Sequence, residues 1–343
     1  MLVLPTIASG TKFVDVLDAP AQMSSLATKT LLQGVTRAGD RLVAVGQRAH
    51  VLTSIDDGVT WKQSRVPTSS DLTAVYFIDD RRGWAVGHDG VVLHSEDGGQ
   101  TWSMQLDGRK ANALLVSAMT RKVAAEPGSG QAGDLLAEAK RYEAQGADKP
   151  FLDVWFADAS NGYVVGAYNM IFRTTDGGAS WQPWFDRTDN PKFLNLYAIR
   201  PVNGDVYIAG ESGLVLKLDT VAQRFKALSL PYPGSLFGVT AAGNSVLVFG
   251  LRGNVLRSDD GGTSWVKVDA ALPSSIVAAT NTASSVLLAD AGGRIATSAD
   301  GGRTFTQVQQ KQVAPITGLV VARDNRLAVV GPRGVAVTSI ASR

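Results

Sequence analysis

Short apolar runs that end in glycine or alanine recur along the chain. They are Leu42-Val-Ala-Val-Gly46, Trp84-Ala-Val-Gly87, Tyr163-Val-Val-Gly166, Val206-Tyr-Ile-Ala-Gly210, Val246-Leu-Val-Phe-Gly250, Val286-Leu-Leu-Ala289 and Leu327-Ala-Val-Val-Gly331. Each is followed by a few loop residues and another apolar run, a grammar that predicts a strand, a turn and a second strand. There are seven such units.

An octet follows five of them. It reads Ser54-Ile-Asp56-Asp-Gly58-Val-Thr60-Trp61, then Ser95 to Trp102 around Asp97, Thr174 to Trp181 around Asp176 and Ser258 to Trp265 around Asp260; a fifth copy around Asp300 ends in Phe305. These are Asp boxes. The Asp accepts hydrogen bonds from its own tight turn, and the Gly takes the left-handed conformation that the turn demands. The Ser and Thr hydroxyls tie down further backbone groups, and the aromatic fills the space between sheets. Asp56, Asp97, Asp176, Asp260 and Asp300 are therefore read as structural, as are Trp61, Trp102, Trp181, Trp265 and Phe305.

Box-ending aromatics at 61 and 102, and at 265 and 305, are spaced by 41 and 40 residues. A period of about 40 to 50 with several short strands predicts propeller blades. The fold class expected is all-β, a seven-bladed β-propeller over 12–343. Between 181 and 265 a degenerate turn from Lys217-Leu-Asp219 to Phe225 replaces a box. The seventh unit stops before an outer strand, which Lys12-Phe-Val-Asp-Val-Leu17 is expected to supply, hiding an open edge.

Residues 107–149 break the rhythm between blades two and three. Leu115, Met119 and Val123 share one helical face, as do Leu135, Ala139 and Tyr142, with Pro127-Gly-Ser-Gly130 between them. A helical hairpin insertion is predicted, its second helix capped by Asp134 and ended by Gly146. It is read both as a pair packed on the propeller and as a partner-binding arm.

The net charge of +2 gives no global reason to expect nucleic acid, and no apolar stretch is long enough to span a membrane. With no cysteine, disulfides and thiolate chemistry are excluded. Residues 1–11 read as a signal-peptide remnant, an apolar run ending in small residues, or as a leader to the first strand. Only three histidines exist, at 50, 88 and 94, without a metal-binding spacing, so neither a metal nor a cofactor is expected.

Function is placed on the face opposite the boxes, which carries the insertion. Arg48, His88, Tyr168, Glu211, Arg252, Arg294 and Arg333 lie in loops there and are the candidate partner-binding residues, forming a ring near the central channel suited to an acidic segment, carboxylate or phosphate. Because Asp boxes also occur in sialidases, a glycan-binding or sialidase-like glycoside hydrolase is the competing reading. The chain lacks the opening Arg-Ile-Pro-like segment of those enzymes; its closest string, Ile199-Arg200-Pro201, lies mid-chain, and no catalytic residue is assigned.

The unit running from Gly87-His-Asp-Gly90 to Trp102 resembles that of the photosystem II stability and assembly factor-like propellers, over nearly the whole chain except the hairpin. The resemblance implies a non-enzymatic assembly or accessory protein on the non-cytoplasmic side of a membrane. In bacteria it implies an exported, periplasmic protein whose partner is a membrane protein complex such as a transporter of the resistance-nodulation-division (RND) type. An arginine patch carries over only to Arg48, Arg252, Arg294 and Arg333.

Overall fold

The apolar runs fold into seven antiparallel sheets. The computed structural model describes residues 13–308, 315–323 and 326–339. Among the described residues six sheets have four strands and the last has three, each in up-and-down order. The inner strands are Leu32–Ala38, Leu72–Phe77, Phe151–Phe156, Leu196–Val202, Leu236–Ala242, Ile276–Asn281 and Gly318–Val321. Each lies beside the next, and the last lies beside the first, so the sheets close into the ring of a β-propeller.

The core lies between blades. Strand side chains alternate in direction, so each second strand splits its apolar residues between two neighbours. Val43 and Val45 pack toward blade two, whereas Ala44 packs toward blade seven. Both sides of a blade are covered, which is why these strands read as unbroken apolar runs rather than alternating ones.

The inner strands share a second feature. The pairing register slips by one residue near the start of blades one to six, at Gln33, Thr73, Leu152, Tyr197, Phe237 and Val277. A bulge re-aims the extra residue. All six of these residues line one central cavity of about 450 Å³.

The five octets form near-identical clamps. Ser54 Oγ donates to Asp56 Oδ1 at 2.7 Å and accepts from Gly58 N at 2.9 Å. Asp56 then accepts from the Thr60 N–H at 2.9 Å and the Thr60 hydroxyl at 2.5 Å. The same pattern holds around Asp97, Asp176, Asp260 and Asp300. In the degenerate turn Asp219 accepts from Val221 and Ala222 N–H instead.

Between blades two and three stand α1 (Gly108–Ala125) and α2 (Gly130–Gln145). The cap of α2 differs from the expectation: Ser129, not Asp134, accepts from Ala132 N, and the helix begins five residues earlier. The short polar side chain after Gly128 reaches the orphan N–H first, which leaves Asp134 inside the helix.

The strand expected from Lys12–Leu17 does not form over its described residues. Val16 and Leu17 instead lie at the blade-one crossing, where the Val16 carbonyl accepts from Ser69 N and the Thr68 hydroxyl. Asp15 and Asp18 hold the segment to Arg109 of α1. The leader assigned to 1–11 lies outside the described residues. Ring closure falls to other groups. A Cβ on Gly334 would sit 1.8 Å from the Thr28 carbonyl, so only glycine lets these blades meet. Asp57 in the first octet faces Arg37, Arg323 and Arg326 at 3.8–4.0 Å.

Acid stability follows from the clamps. Hydrogen bonds from Thr60 and Ser264 pull the Asp56 and Asp260 carboxyls down to about 2, against about 3.9 in an unfolded chain. Groups with depressed folded pKa stabilise above the unfolded value and lose that contribution as pH falls through the folded one. Tm should therefore drop between roughly pH 4 and pH 2. The double variant Asp56→Asn/Asp260→Asn should start lower at neutral pH and drop less, as thermal scans across that range would show.

Candidate functional site

The loop face is built from one repeated turn. After each second strand of blades one to five the chain makes a single 3₁₀ turn whose middle residue is left-handed. These residues are Arg48, Asp89, Tyr168, Ser212 and Arg252, with φ between 52° and 58°. Non-glycine residues hold this conformation only when their surroundings over-determine it.

Here the surroundings are the next blade. Arg48 N donates to Asp71 Oδ1 at 2.7 Å, Tyr168 N to Asn195 Oδ1 at 2.9 Å, Ser212 N to Ser235 Oγ at 3.4 Å and Arg252 N to Ser275 Oγ at 3.1 Å. Each acceptor precedes an inner strand. Its backbone carbonyl meanwhile accepts from its own blade, as Asp71 O does from His88 N and Ser275 O from Ala291 N, both at 2.8 Å. This crossing also explains the strand-ending glycines, because a Cβ at Gly87 would lie 2.1 Å from the Asp71 carbonyl oxygen.

Blade two lacks this bond because Pro150 stands where the acceptor would be. The insertion takes its place. A Cβ on Gly90 would lie 2.6 Å from Gly108 Cα, so the first turn of α1 seats directly under the Asp89 turn. On the far side the Tyr142 hydroxyl of α2 donates to the Tyr168 carbonyl at 3.0 Å. Buried Lys149 lies 4.9 Å from the Tyr142 ring and 5.7 Å from that of Tyr168.

The seven candidate residues do not form one ring. Arg48, Tyr168 and Arg252 share the left-handed position, whereas His88 and Glu211 sit one residue earlier. Arg294 lies two positions beyond the left-handed site and pairs with buried Asp290 at 3.4 Å. Arg333 occupies a shorter two-residue turn. Arg48, His88, Tyr168, Arg252 and Arg333 are exposed, and Glu211 accepts from Asn195 N at 3.2 Å. None of the seven lines the central cavity. The turns join second to third strands, away from the inner strands that form its wall. Of the other histidines, His50 meets Thr30 Oγ1 at 3.0 Å and His94 stacks on Trp84 at 4.8 Å; burial lowers the pKa of both.

The cavity wall holds what the sequence reading missed. Asp153, in an otherwise apolar inner strand, accepts from Ile199 N at 2.8 Å and from Arg200 Nη1 at 2.5 Å, and Arg200 lies over the Tyr76 ring at 5.8 Å. Tyr197 and Phe237 meet edge to face at 5.5 Å on the same wall. The signal was a lone acid in the run Phe151-Leu-Asp153-Val-Trp-Phe156 and the very Arg200 that was set aside. A carboxylate so engaged has no second acid beside it on the described wall, and burial pushes the Tyr76 phenol up, the opposite of an activated nucleophile.

A family model described as "Photosynthesis system II assembly factor YCF48" matches residues 22–126 and 138–274, more than half of the chain. A Photosystem II assembly lipoprotein Ycf48 of Synechococcus sp. (strain CC9902) is 37% identical over 95 residues, 27% of this chain and 28% of that protein. The match thus spans under a third of the relative's length. The solved structure of YCF48 from Cyanidioschyzon merolae superposes with a TM-score of 0.65 at 17% identity, covering 93% of this chain and 98% of that one. A structure titled "YCF48 bound to D1 peptide" gives 0.62 at 17%, covering 92% and 95%. These two share the fold.

Tyr142→Phe removes the hydroxyl that holds the Tyr168 turn and should cost about 1 kcal/mol. Urea denaturation should show that loss, and hydrogen exchange should quicken at residues 166–170 and not at 250–254.

Proposed function

The chain belongs to the YCF48 family of photosynthesis system II assembly factors, and on that premise we propose that it is a non-enzymatic assembly or accessory protein that binds a segment of a membrane protein on its loop face. The observation that carries this reading is the row of left-handed turns. They hold exposed Arg48, Tyr168 and Arg252 at equivalent positions of a rigid ring, with Tyr168 against α2. Arg48, Arg252 and Arg333 make no ion pair among the described residues, so their charge is left for a partner. Apolar surface lies next to it, with Tyr168 49% and Leu251 36% exposed. Cations interleaved with apolar tips on a preformed scaffold suit an extended acidic or amphipathic segment.

A relative solved with a D1 peptide supports a polypeptide as the thing recognised. The lipoprotein description of another relative supports an extracytoplasmic setting, and no described helix is long and apolar enough to cross a membrane. Within this proposal we place the protein in the periplasm with a membrane protein complex, such as an RND-type transporter, as partner. The five octets are its Asp boxes and the hairpin its insertion between blades two and three.

Replacing the hairpin would be a poor test, because its apolar residues share one core with Trp84, Phe151 and Phe172. Charge reversal is cleaner. Arg48→Glu/Arg252→Glu should abolish capture of a membrane protein from detergent-solubilised membranes at unchanged Tm. Arg81→Glu/Arg82→Glu, on the octet face, should leave capture intact. Equal capture by both variants would refute the face assignment.

A further inference from the structure

We infer a second binding site, independent of the loop face, in the cleft between α1 and the outer edge of blade three, which takes a glutamate- or aspartate-bearing peptide segment of a partner protein. The cleft measures about 560 Å³ and is walled by Leu114, Ala118 and Arg121 of α1 and by Arg173, Trp181, Trp184 and Arg187 of blade three.

Its charged groups are all cations, and none has an anion beside it among the described residues. The Arg173 and Arg187 guanidinium groups lie 5.1 and 5.4 Å from the Trp184 ring. Both reach only Gln223, through its side-chain oxygen at 3.0 Å and its carbonyl at 3.3 Å. Arg121 bonds the Ser117 hydroxyl at 2.7 Å. None of these three arginines meets a carboxylate among the described residues. The acids close by in sequence are committed elsewhere, Asp186 to Lys122 at 3.1 Å and Asp189 to Arg224 at 2.6 Å.

Trp181 is the second, separate sign. The equivalent Trp61, Trp102 and Trp265 donate their indole N–H to an octet glycine carbonyl at 2.9–3.1 Å. Trp181 is 3% exposed, and its N–H has no acceptor. A buried donor left unpaired costs the desolvation of that group, and this indole, which lacks the bond its equivalents make, is the one that walls this cleft. Planar guanidinium groups match a carboxylate in two-pronged fashion. The cleft is far larger than one small anion, and Leu114, Ala118 and Trp184 give it an apolar wall, which together select a peptide over a free ion.

The test titrates the full chain with a blocked decapeptide carrying two glutamates between leucines, with its glutamine counterpart, and with inorganic phosphate. The readout is the indole N–H resonances of the seven tryptophans, with that of Trp181 assigned by Trp181→Phe. The glutamate peptide should shift the Trp181 resonance saturably and the glutamine peptide should not. Arg173→Gln should weaken binding about tenfold, and so should Arg187→Gln, an exposed change that spares the fold. Equal shifts from both peptides, or none from either, would overturn the site. Saturable shifts by phosphate alone would overturn the peptide and leave a small-anion pocket.

Discussion

One residue position governs the loop face: the one just before an inner strand. Its carbonyl closes its own blade while its side-chain oxygen accepts the N–H of the left-handed residue in the preceding blade, as at Asp71, Asn195, Ser235 and Ser275. Each such bond fixes the angle between two neighbours as well as a turn. No strand ladder joins neighbouring blades, whose shared cores are mainly apolar, and apolar contact is non-directional. Directional bonds at the rim set the register that the core alone would leave loose.

The octet face carries a matching row. The carbonyl at the first octet glycine receives a donor from the blade before it: Arg41 at Gly98, Gln105 at Gly177, Tyr207 at Gly261 and Arg257 at Gly301. The first octet has Asp57 at this place, and there the contact runs through its side chain to the arginines of blades one and seven. That is where the ring must close on itself. A carboxylate facing three guanidinium groups tolerates small errors in spacing better than one hydrogen bond, because charge attraction falls off slowly with distance.

The repeats were legible because each obeys a local rule. An Asp, a Gly and two hydroxyls in eight residues can satisfy one another without help from the rest of the chain, so strand-turn units, the octets and the two helices could be read in advance. What was hidden depends on neighbours distant in sequence. The bulges at Gln33 and Tyr197 leave no local mark, and Arg294 looks equivalent to Arg252 until the register shows it two places further on, held by Asp290. Asp153 carries no local sign of its role and is a buried tie to Arg200 in the next blade. The strand expected from Lys12–Leu17 rested on covering an edge, yet Arg109 offered Asp15 and Asp18 a charged partner elsewhere.

The insertion is best understood against the one junction it interrupts. Between blades two and three the residue before the inner strand is Pro150, which has no side-chain acceptor. A hairpin of some forty residues supplies the missing tie with Gly108 beneath the Asp89 turn and Tyr142 against the Tyr168 turn. Its apolar face enters the same core in which the Trp84 and Phe156 rings stack at 3.5 Å. Such a pair is no flexible arm. Any partner that touches α1 or α2 meets a surface whose position is set by two blades, and the ordering of that surface is complete before binding begins. The rigidity that makes the hairpin hard to remove also fits it to recognition.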